Sequence, residues 1–418
     1  MVDTLLTQAQ KEMEKRGFEG DAILVGSVAK GTYLRNPDID IFLRFPKELK
    51  KEDLKHLGLE IGKVIIPDGF AKYAEHPYWH GTYLGFEVDI VPCYRITSPN
   101  EKMSAVDRTP FHTEYVKRNL KEWQKDEVRL LKAFLKGIGA YGAEAKVQGF
   151  SGYLTELLIL KYGDFISTLK NVANWRKKVY LHLEGEGEEF RDPVVFIDPV
   201  DPHRNAASAV SVEKKSLFIY ASQRYLEEPS IKFFFPEKIK PLKREKIFKL
   251  VEERGTYFYV ISFPRPDMVE DNLYPQMRRT LEILVNILQD FHPINSLYQV
   301  TSSHVHFIIE LERDLLPKVK KHCGPPVWHE NSKNFLSRWR DGALRGPYIE
   351  EYRWFADILR NERRVKEVLE KRISNYKLGK YFENNKEKMV IEKMEKVMDE
   401  LNIESLTEFL MFKFPWER

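Results

Sequence analysis

The most constraining feature of the sequence is a polar segment that separates two patterns typical of buried β-strands. The apolar run Ala22–Val25 leads directly into Gly26–Thr32, which reads Gly-Ser-Val-Ala-Lys-Gly-Thr. Residues 38–43 then alternate between aspartate and isoleucine before they become wholly apolar. Because side chains alternate across a strand, Asp38 and Asp40 are predicted to share one face, with the intervening isoleucines packed behind them.

This arrangement predicts a site that holds both metal and phosphate. Carboxylates on one face repel each other unless a cation lies between them, and their oxygens suit Mg²⁺. The glycine-serine turn offers backbone N–H groups and the Ser27 hydroxyl to a phosphate, to which Lys30 could add charge. A third carboxylate is expected for two-metal chemistry, and Asp89, in the predicted apolar strand 83–91, is the best candidate. Together these features indicate nucleotidyl or phosphoryl transfer.

Each part of this pattern, taken alone, is weak evidence for a catalytic site. An isolated Asp-x-Asp belongs more often to a surface strand or turn than to a metal site. The combination of Gly-Ser, the short spacing, the aspartate pair and a later strand aspartate is far more specific. The chain has no Gly-x-x-x-x-Gly-Lys-Ser/Thr segment, which argues against a P-loop enzyme.

Composition narrows the class of protein further. The chain has 418 residues, 43% of them hydrophobic, which is enough for several folded domains. No apolar run reaches membrane-spanning length, and the two isolated cysteines, Cys93 and Cys323, cannot form a disulfide framework. We therefore expect a cytoplasmic protein without a membrane partner. The net charge of +4 is uneven, since residues 231–380 carry about +8 and the remainder about −4; this could be chance, or it could indicate a phosphate-binding half.

Longer segments resemble the archaeal class I CCA-adding enzymes of the nucleotidyltransferase superfamily. They occur in that family's order from the front of the chain to about residue 272, and the resemblance is looser beyond. The segments are Asp107–Thr113, Arg129–Lys136, Gly149–Leu154, Asp198–Ala207 and Pro264–Asp267.

The resemblance implies a multidomain α+β fold. The N-terminal nucleotidyltransferase head, a mixed sheet with helices, would span residues 1–139. A helical neck that recognises the nucleotide base would follow over residues 140–250. A small α+β body over 251–345 and a helical C-terminal tail over 346–418 would bind tRNA.

The resemblance also implies a role for each matching position. Asp38, Asp40 and Asp89 would be the catalytic, metal-binding carboxylates for two Mg²⁺ ions. The nucleotide, ATP or CTP, would be bound by Ser27, Lys30, His112, Lys132, Tyr141 and Arg204. Position 30 departs from the family, where arginine is common, and lysine lacks the bidentate fork.

The implied activity is template-independent addition of CCA to the 3′ end of tRNA, with release of pyrophosphate. The tRNA would be held along its acceptor stem and TΨC side. Whether the protein forms a homodimer is left open at this point. There are two alternatives: a poly(A) polymerase, and a tRNA-binding protein whose nucleotidyltransferase head has lost its activity. The three intact aspartates argue against the second alternative.

Without the resemblance, a structural role would be preferred over nucleotide binding for four of these residues. Lys132 could form a solvated pair with Lys136, and Arg204 could pair with Asp201. His112 could cap a helix, and Tyr141 could pack against a helix end.

Two further patterns in the C-terminal half are ambiguous. His304 and His306 share a strand face, but no third metal ligand is evident at a suitable spacing, so packing or RNA contact is expected. The basic and aromatic run from Arg338 to Trp354 could stack RNA bases or form an amphipathic face.

Overall fold

The computed structural model describes residues 1–73, 77–185 and 187–418. The described residues form two compact units. The first unit comprises Met1–Lys238 with Phe414–Arg418, and the second comprises Ile239–Lys413. No helix in the described part of the chain is long and apolar enough to cross a membrane.

The first unit opens with a mixed sheet flanked by helices. The sheet order is β1-β2-β5-β4-β3, with β2 and β5 parallel and the other neighbours antiparallel. The strands are β1 (Asp21–Val25), β2 (Ile39–Phe45), β3 (Phe70–Tyr73), β4 (Pro77–Tyr83) and β5 (Phe86–Tyr94). The helices are α1 (Val2–Lys15), α2 (Gly26–Lys30), α3 (Lys51–Ile65), α4 (Thr109–Asn119) and α5 (Gln124–Gly137).

The alternation predicted for β2 and β5 is confirmed. Ile39, Ile41, Val88 and Ile90 are buried in one core with residues of α1 and α3. The residues between them in sequence therefore face the other side of the sheet. This orientation leaves the aspartates of these strands outside the main core.

The third predicted strand, 83–91, corresponds to β5, but the strand starts three residues later than predicted because Leu84 and Gly85 form a hairpin turn. β4 ends at Tyr83, and β5 begins at Phe86. The two turn residues, Leu84 and Gly85, both have positive φ, at 50° and 82°. A two-residue turn of this kind matches the twist of the paired strands.

A mainly helical region completes the first unit. Its helices are α6 (Gly152–Tyr162), α7 (Phe165–Val172) and α8 (Val212–Glu227), with the short parallel strands β6 (Val179–Leu181) and β7 (Val194–Phe196). Ser151 is a residue type favoured at helix starts, and it caps α6, since the Leu154 N–H donates to Ser151 Oγ over 3.1 Å. The apolar pattern of residues 151–169 predicts one buried helix, but the structure has two, because Gly163 has φ +98° and Asp164 caps α7.

The second unit contains the expected small α+β body. Its helices are α9 (Arg244–Arg254), α10 (Glu270–Ile287), α11 (Ser332–Trp339), α12 (Val365–Arg372), α13 (Lys380–Glu383), α14 (Met394–Val397) and α15 (Ile403–Leu410). Its strands are β8 (Tyr257–Pro264), β9 (Pro293–Val300), β10 (His304–Leu311), β11 (Val319–Pro326), β12 (Arg345–Glu350), β13 (Arg353–Leu359) and β14 (Val390–Lys393). They form sheets of order β14-β8-β10-β9 and β11-β13-β12. In the body, β8, α10, β9 and β10 follow one another along the chain.

The tail over residues 346–418 was expected to be helical, but it also contains β-strands. β12 and β13 form a hairpin, and β14 pairs with β8, more than a hundred residues earlier in the chain. Four residues are too few to show a strand periodicity, so the partner strand rather than the local pattern determines β14.

Candidate active site

Three polar side chains lie in one row across the sheet of the first unit. Asp40 on β2 is in register with Asp89 on β5, and Asp89 is in register with His80 on β4. Asp38 is exposed and lies one residue before β2 begins. Because β2 and β5 are parallel neighbours, the aspartates are brought together by the sheet itself rather than by a flexible loop.

The aspartates repel one another in the absence of a cation. Burial, followed by the charges of Asp89 and Asp38, raises the pKa of Asp40 from 3.8 to about 7. Burial also raises the pKa of Asp89, although His80 acts against this effect. A divalent ion would remove the repulsion, and three carboxylates are the oxygen donors that Mg²⁺ prefers. The donor set therefore fits the metal that the sequence predicts.

His80 is a site residue that the sequence analysis did not identify. Its Nδ1 lies 2.6 Å from Asp89 Oδ1, and its Nε2 lies 2.8 Å from Glu87 Oε2. These contacts fix the orientation of the Asp89 carboxylate. The alternation of Pro77–Tyr83 could have indicated a strand, but only the register places His80 beside Asp89.

Gly26 joins β1 to α2 next to Asp40. Its φ is +71°, and a Cβ at this position would lie 2.0 Å from Asp40 Oδ2. Only glycine allows both the backbone conformation and the close approach of the carboxylate. The Gly-Ser turn thus positions the main chain against the aspartate pair.

A cavity of about 300 Å³ opens beside this turn. Many of its lining residues were predicted to bind the nucleotide or the metal, and Tyr153 and Glu156 of α6 also line it. The predicted residues that it brings together are Ser27, Lys30, Asp40, His112, Lys132 and Tyr141. Burial raises the pKa of Tyr141 to about 12, so its hydroxyl remains a hydrogen-bond donor at neutral pH.

A buried carboxylate organises the two lysines of the cavity. Glu156 is fully buried, with Oε2 2.6 Å from Lys30 Nζ and Oε1 3.2 Å from Lys132 Nζ. The Thr32 hydroxyl donates to Glu156 Oε1 over 2.5 Å. The solvated pairing of Lys132 with Lys136 is therefore wrong, because Lys132 is only 2% exposed and its partner is Glu156.

Opposing effects set the charges of this network. Burial would raise the pKa of Glu156, but the ammonium groups of Lys30 and Lys132 hold it below its ordinary value. Burial lowers the pKa of Lys132, and Glu156 opposes that shift. Two lysines share one carboxylate, so the formal charges of the three groups sum to +1 beside the cavity.

A second buried carboxylate, Asp198, links Arg204 to the cavity wall. Arg204 Nη1 donates to Asp198 Oδ2 over 2.7 Å, and His112 Nε2 lies 2.9 Å from the same oxygen. The Tyr153 hydroxyl donates to Oδ1 over 2.9 Å, and its ring stacks on His112 at a centroid distance of 4.1 Å. A helix-cap role for His112 is wrong, because it lies inside α4.

Arg204 does not pair with Asp201. Asp201 instead contacts Lys102 Nζ at 2.5 Å and Arg108 Nη1 at 2.8 Å. The Arg204 side chain remains 31% exposed, so part of its guanidinium is accessible beside Asp198. This leaves donors on Arg204 that a ligand could use.

Comparison with known proteins covers nearly the whole chain. Residues 6–112 match the nucleotidyltransferase domain family, and residues 126–235 match the second domain of tRNA nucleotidyltransferase. Residues 254–392 match the C-terminal domain of the CCA-adding enzyme.

Full-length relatives give the same result. The CCA-adding enzyme of Thermoplasma acidophilum is 40% identical over 407 residues, which cover 96% of this chain and 91% of that protein. The CCA-adding enzyme of Archaeoglobus fulgidus is 42% identical over 363 residues, covering 84% and 81%. Identity at this level over most of both chains extends through catalytic and C-terminal domains alike. The chain therefore belongs to the CCA-adding enzyme family of tRNA nucleotidyltransferases.

Proposed function

We propose that this protein adds C, C and A to the 3′ end of tRNA from CTP and ATP, without a nucleic-acid template. The observation that carries the proposal is the register of Asp40 with Asp89, where Asp40 lines a cavity that Lys30 and Lys132 also line. Paired carboxylates beside a cationic cavity suit transfer of a nucleotidyl group from a triphosphate. Family membership supports tRNA as the acceptor.

The three aspartates, Asp38, Asp40 and Asp89, are proposed to bind two divalent metal ions, and we propose that both ions are Mg²⁺. When bound, these ions would supply Lewis-acid activation of the hydroxyl and neutralise charge on the triphosphate. Asp89 orients the terminal 3′-hydroxyl of the tRNA, and His80 keeps the Asp89 carboxylate in place. The hydroxyl oxygen attacks the α-phosphorus in line and passes its proton to the Asp89 carboxylate, and the bond to the leaving pyrophosphate breaks.

The cavity is proposed to position the nucleotide. Lys30 and Lys132 would bind the triphosphate oxygens through the positive charge that Glu156 leaves uncompensated. The Ser27 hydroxyl would donate to a phosphate, and Tyr141 would contact the sugar. None of these groups forms a covalent bond to the substrate, so their contribution is orientation and charge.

Arg204 is proposed to read the incoming base, and His112 is proposed to line the nucleotide pocket beside it. Asp198 holds one edge of the Arg204 guanidinium, and the accessible remainder could donate hydrogen bonds to a cytosine or an adenine. Asp198 also fixes His112 and Tyr153, so these side chains form one connected wall. A single wall of this kind allows one site to accept both nucleotides.

The second unit is proposed to bind the acceptor stem and TΨC side of the tRNA. It contains the basic excess of the chain, together with exposed aromatic rings such as Trp328 and Tyr352. Phosphate contacts and stacking recognise RNA shape without reading sequence. A homodimer stays a prediction that light scattering of the purified protein would test.

The test of the catalytic proposal is the Asp89→Ala variant. Nucleotide addition should fall by at least about 100-fold, the scale for loss of a positioned catalytic group, while tRNA affinity stays unchanged. Asp53→Ala, at an exposed position on α3, is the matched control and should retain full activity. Normal turnover of Asp89→Ala would remove this carboxylate from the mechanism.

A further inference from the structure

A second cluster of potential metal ligands lies in the second unit. His304 and His306 belong to β10, and Glu400 ends the short 3-10 turn Met398–Glu400. Their potential ligand atoms all lie within 4.8 Å of one another. The two histidines were predicted to share a face, but the third group is supplied from almost a hundred residues later. The sequence shows no third ligand at a suitable spacing because Glu400 is brought to the two histidines only by the fold.

His306 has the hydrogen-bonding pattern of a ligand that lacks its ion. The side chain is fully buried, and Nδ1 lies 2.8 Å from Ser262 Oγ on β8. Its other nitrogen, Nε2, is buried and finds no hydrogen-bond partner among the described residues. A buried polar atom without a partner is costly, and metal-binding histidines characteristically anchor one nitrogen while the other binds the ion.

The other two groups are accessible from solvent. Glu400 is exposed and His304 is partly buried, with its ring centroid 5.7 Å from that of His306. His304 Nδ1 lies 2.9 Å from Ser303 Oγ, and this contact is exposed. Ligand atoms around a tetrahedral zinc ion are roughly 3.3 Å apart, so these side chains need to move by only about 1–2 Å.

The backbone that presents Glu400 is already held in place. Met398 and Leu401, on either side of it, are buried in a core with residues of β8 and β10. The Asn402 N–H donates to Gln299 Oε1 over 2.9 Å, and Gln299 Nε2 donates to the Asn402 carbonyl over 3.2 Å. The turn is thus fixed to the sheet on both sides of the carboxylate, which lowers the entropic cost of binding an ion.

The donor set selects the kind of metal. Two imidazole nitrogens and one carboxylate oxygen suit Zn²⁺ and its neighbours in the transition series, whereas Mg²⁺ prefers oxygen ligands alone.

We propose that His304, His306 and Glu400 bind one divalent transition-metal ion, with zinc as the favoured occupant. The three protein ligands leave a fourth position for water. The ion would tie the turn Met398–Glu400 to β10 and so stabilise the second unit. This site is distinct from the aspartates of the first unit and does not depend on the proposed nucleotide chemistry.

The experiment is zinc binding to the full chain in the presence of excess Mg²⁺. Because the aspartates of the first unit also attract divalent ions, the Asp40→Asn/Asp89→Asn protein serves as the parent for every variant. The parent protein is stripped of metal, incubated with zinc and passed through a gel-filtration column. We expect it to retain one zinc ion per chain, as measured by elemental mass spectrometry. His306→Ala should weaken zinc binding by about 10–100-fold or more, the scale for loss of a metal-site group, and His329→Ala, at an exposed histidine, should not.

A second readout protects the test against misfolding of the His306 variant. Glu400→Gln changes only an exposed side chain, so it should fold normally while it loses zinc affinity. Saturating zinc should raise the unfolding temperature of the parent by roughly 5 °C and should shift Glu400→Gln much less. Absence of zinc binding at micromolar concentration, or zinc binding that survives both His306→Ala and Glu400→Gln, would overturn the proposal.

Discussion

Replacing Glu156 by glutamine tests the charge network beneath the cavity. The substitution keeps the size of the side chain but removes the charge that faces Lys30 Nζ at 2.6 Å and Lys132 Nζ at 3.2 Å. Glu156 is fully buried, and the two lysines are 7% and 2% exposed, so water cannot take over its role. The variant therefore leaves two ammonium groups buried beside each other without a counter-charge.

The magnitude follows from this burial. Removing one partner of a buried ion pair costs about 3–5 kcal/mol, because the remaining charge is left uncompensated. In a unit of this size each kcal/mol lowers the unfolding temperature by roughly 2–4 °C, so the first unit should unfold about 10 °C earlier. Glu122→Gln is the matched control, since it breaks an exposed pair with Lys125 and should cost under about 1 kcal/mol.

The assay is scanning calorimetry of the full chain, with and without a nucleoside triphosphate. The triphosphate should stabilise Glu156→Gln more than the parent protein, because its phosphates supply the missing negative charge to Lys30 and Lys132. A loss of stability for Glu156→Gln no larger than that of Glu122→Gln would refute the reasoning. Equal stabilisation of both proteins by nucleotide would refute the proposed contact between the lysines and the triphosphate.

Three further predictions address the turn, the metal and the tRNA. Gly26→Ala should abolish nucleotide addition in a primer-extension assay while leaving tRNA affinity intact, because its Cβ would meet Asp40 Oδ2 at 2.0 Å; full activity would contradict this. Because the pKa of Asp40 is raised to about 7, Mg²⁺ binding must displace a proton below that pH. Calorimetric Mg²⁺ affinity should fall up to about tenfold per pH unit below pH 7, stay level above it, and lose this dependence in Asp40→Asn. In filter-binding assays, tRNA affinity should fall at least about tenfold between roughly 50 and 200 mM salt, and a flat response would argue against phosphate contacts.

The part of the site built from one strand pattern could be predicted from the sequence. Period-two alternation correctly placed Asp40 and Asp89 opposite the buried isoleucines and valines of β2 and β5. Their pairing needed one further inference, that the two strands are neighbours, which the family resemblance supplied. Local sequence was sufficient here because the orientation of each side chain follows from its own strand.

Groups whose role depends on a distant partner could not be found in this way. Glu156 precedes a run of apolar residues on α6, and nothing local indicates that Lys30 and Lys132 converge on it. Asp198 and Arg204 lie in the same recognised motif, yet the contact of Asp198 with His112 on α4 arises only from packing between separate elements. Buried charges of this kind require the whole fold, because most of their partners lie tens to more than a hundred residues away.

The same reasoning explains the differences in secondary structure. The break at Gly163 and Asp164 is a local signal that the apolar pattern on either side obscured. β14, by contrast, exists because β8 offers it an edge with which to pair. A four-residue strand has too few side chains to define a period, so its prediction requires knowledge of the sheet.

The central claim is tested most directly by incubating the purified protein with Mg²⁺ and tRNA that lacks its CCA end. CTP alone, ATP alone and both nucleotides together are supplied, and the products are resolved at single-nucleotide length. We predict addition of two C residues from CTP alone, and a final A, with no further extension, only when both nucleotides are present. A lengthening A tract from ATP alone, or no incorporation by a protein that still binds the tRNA, would contradict the account.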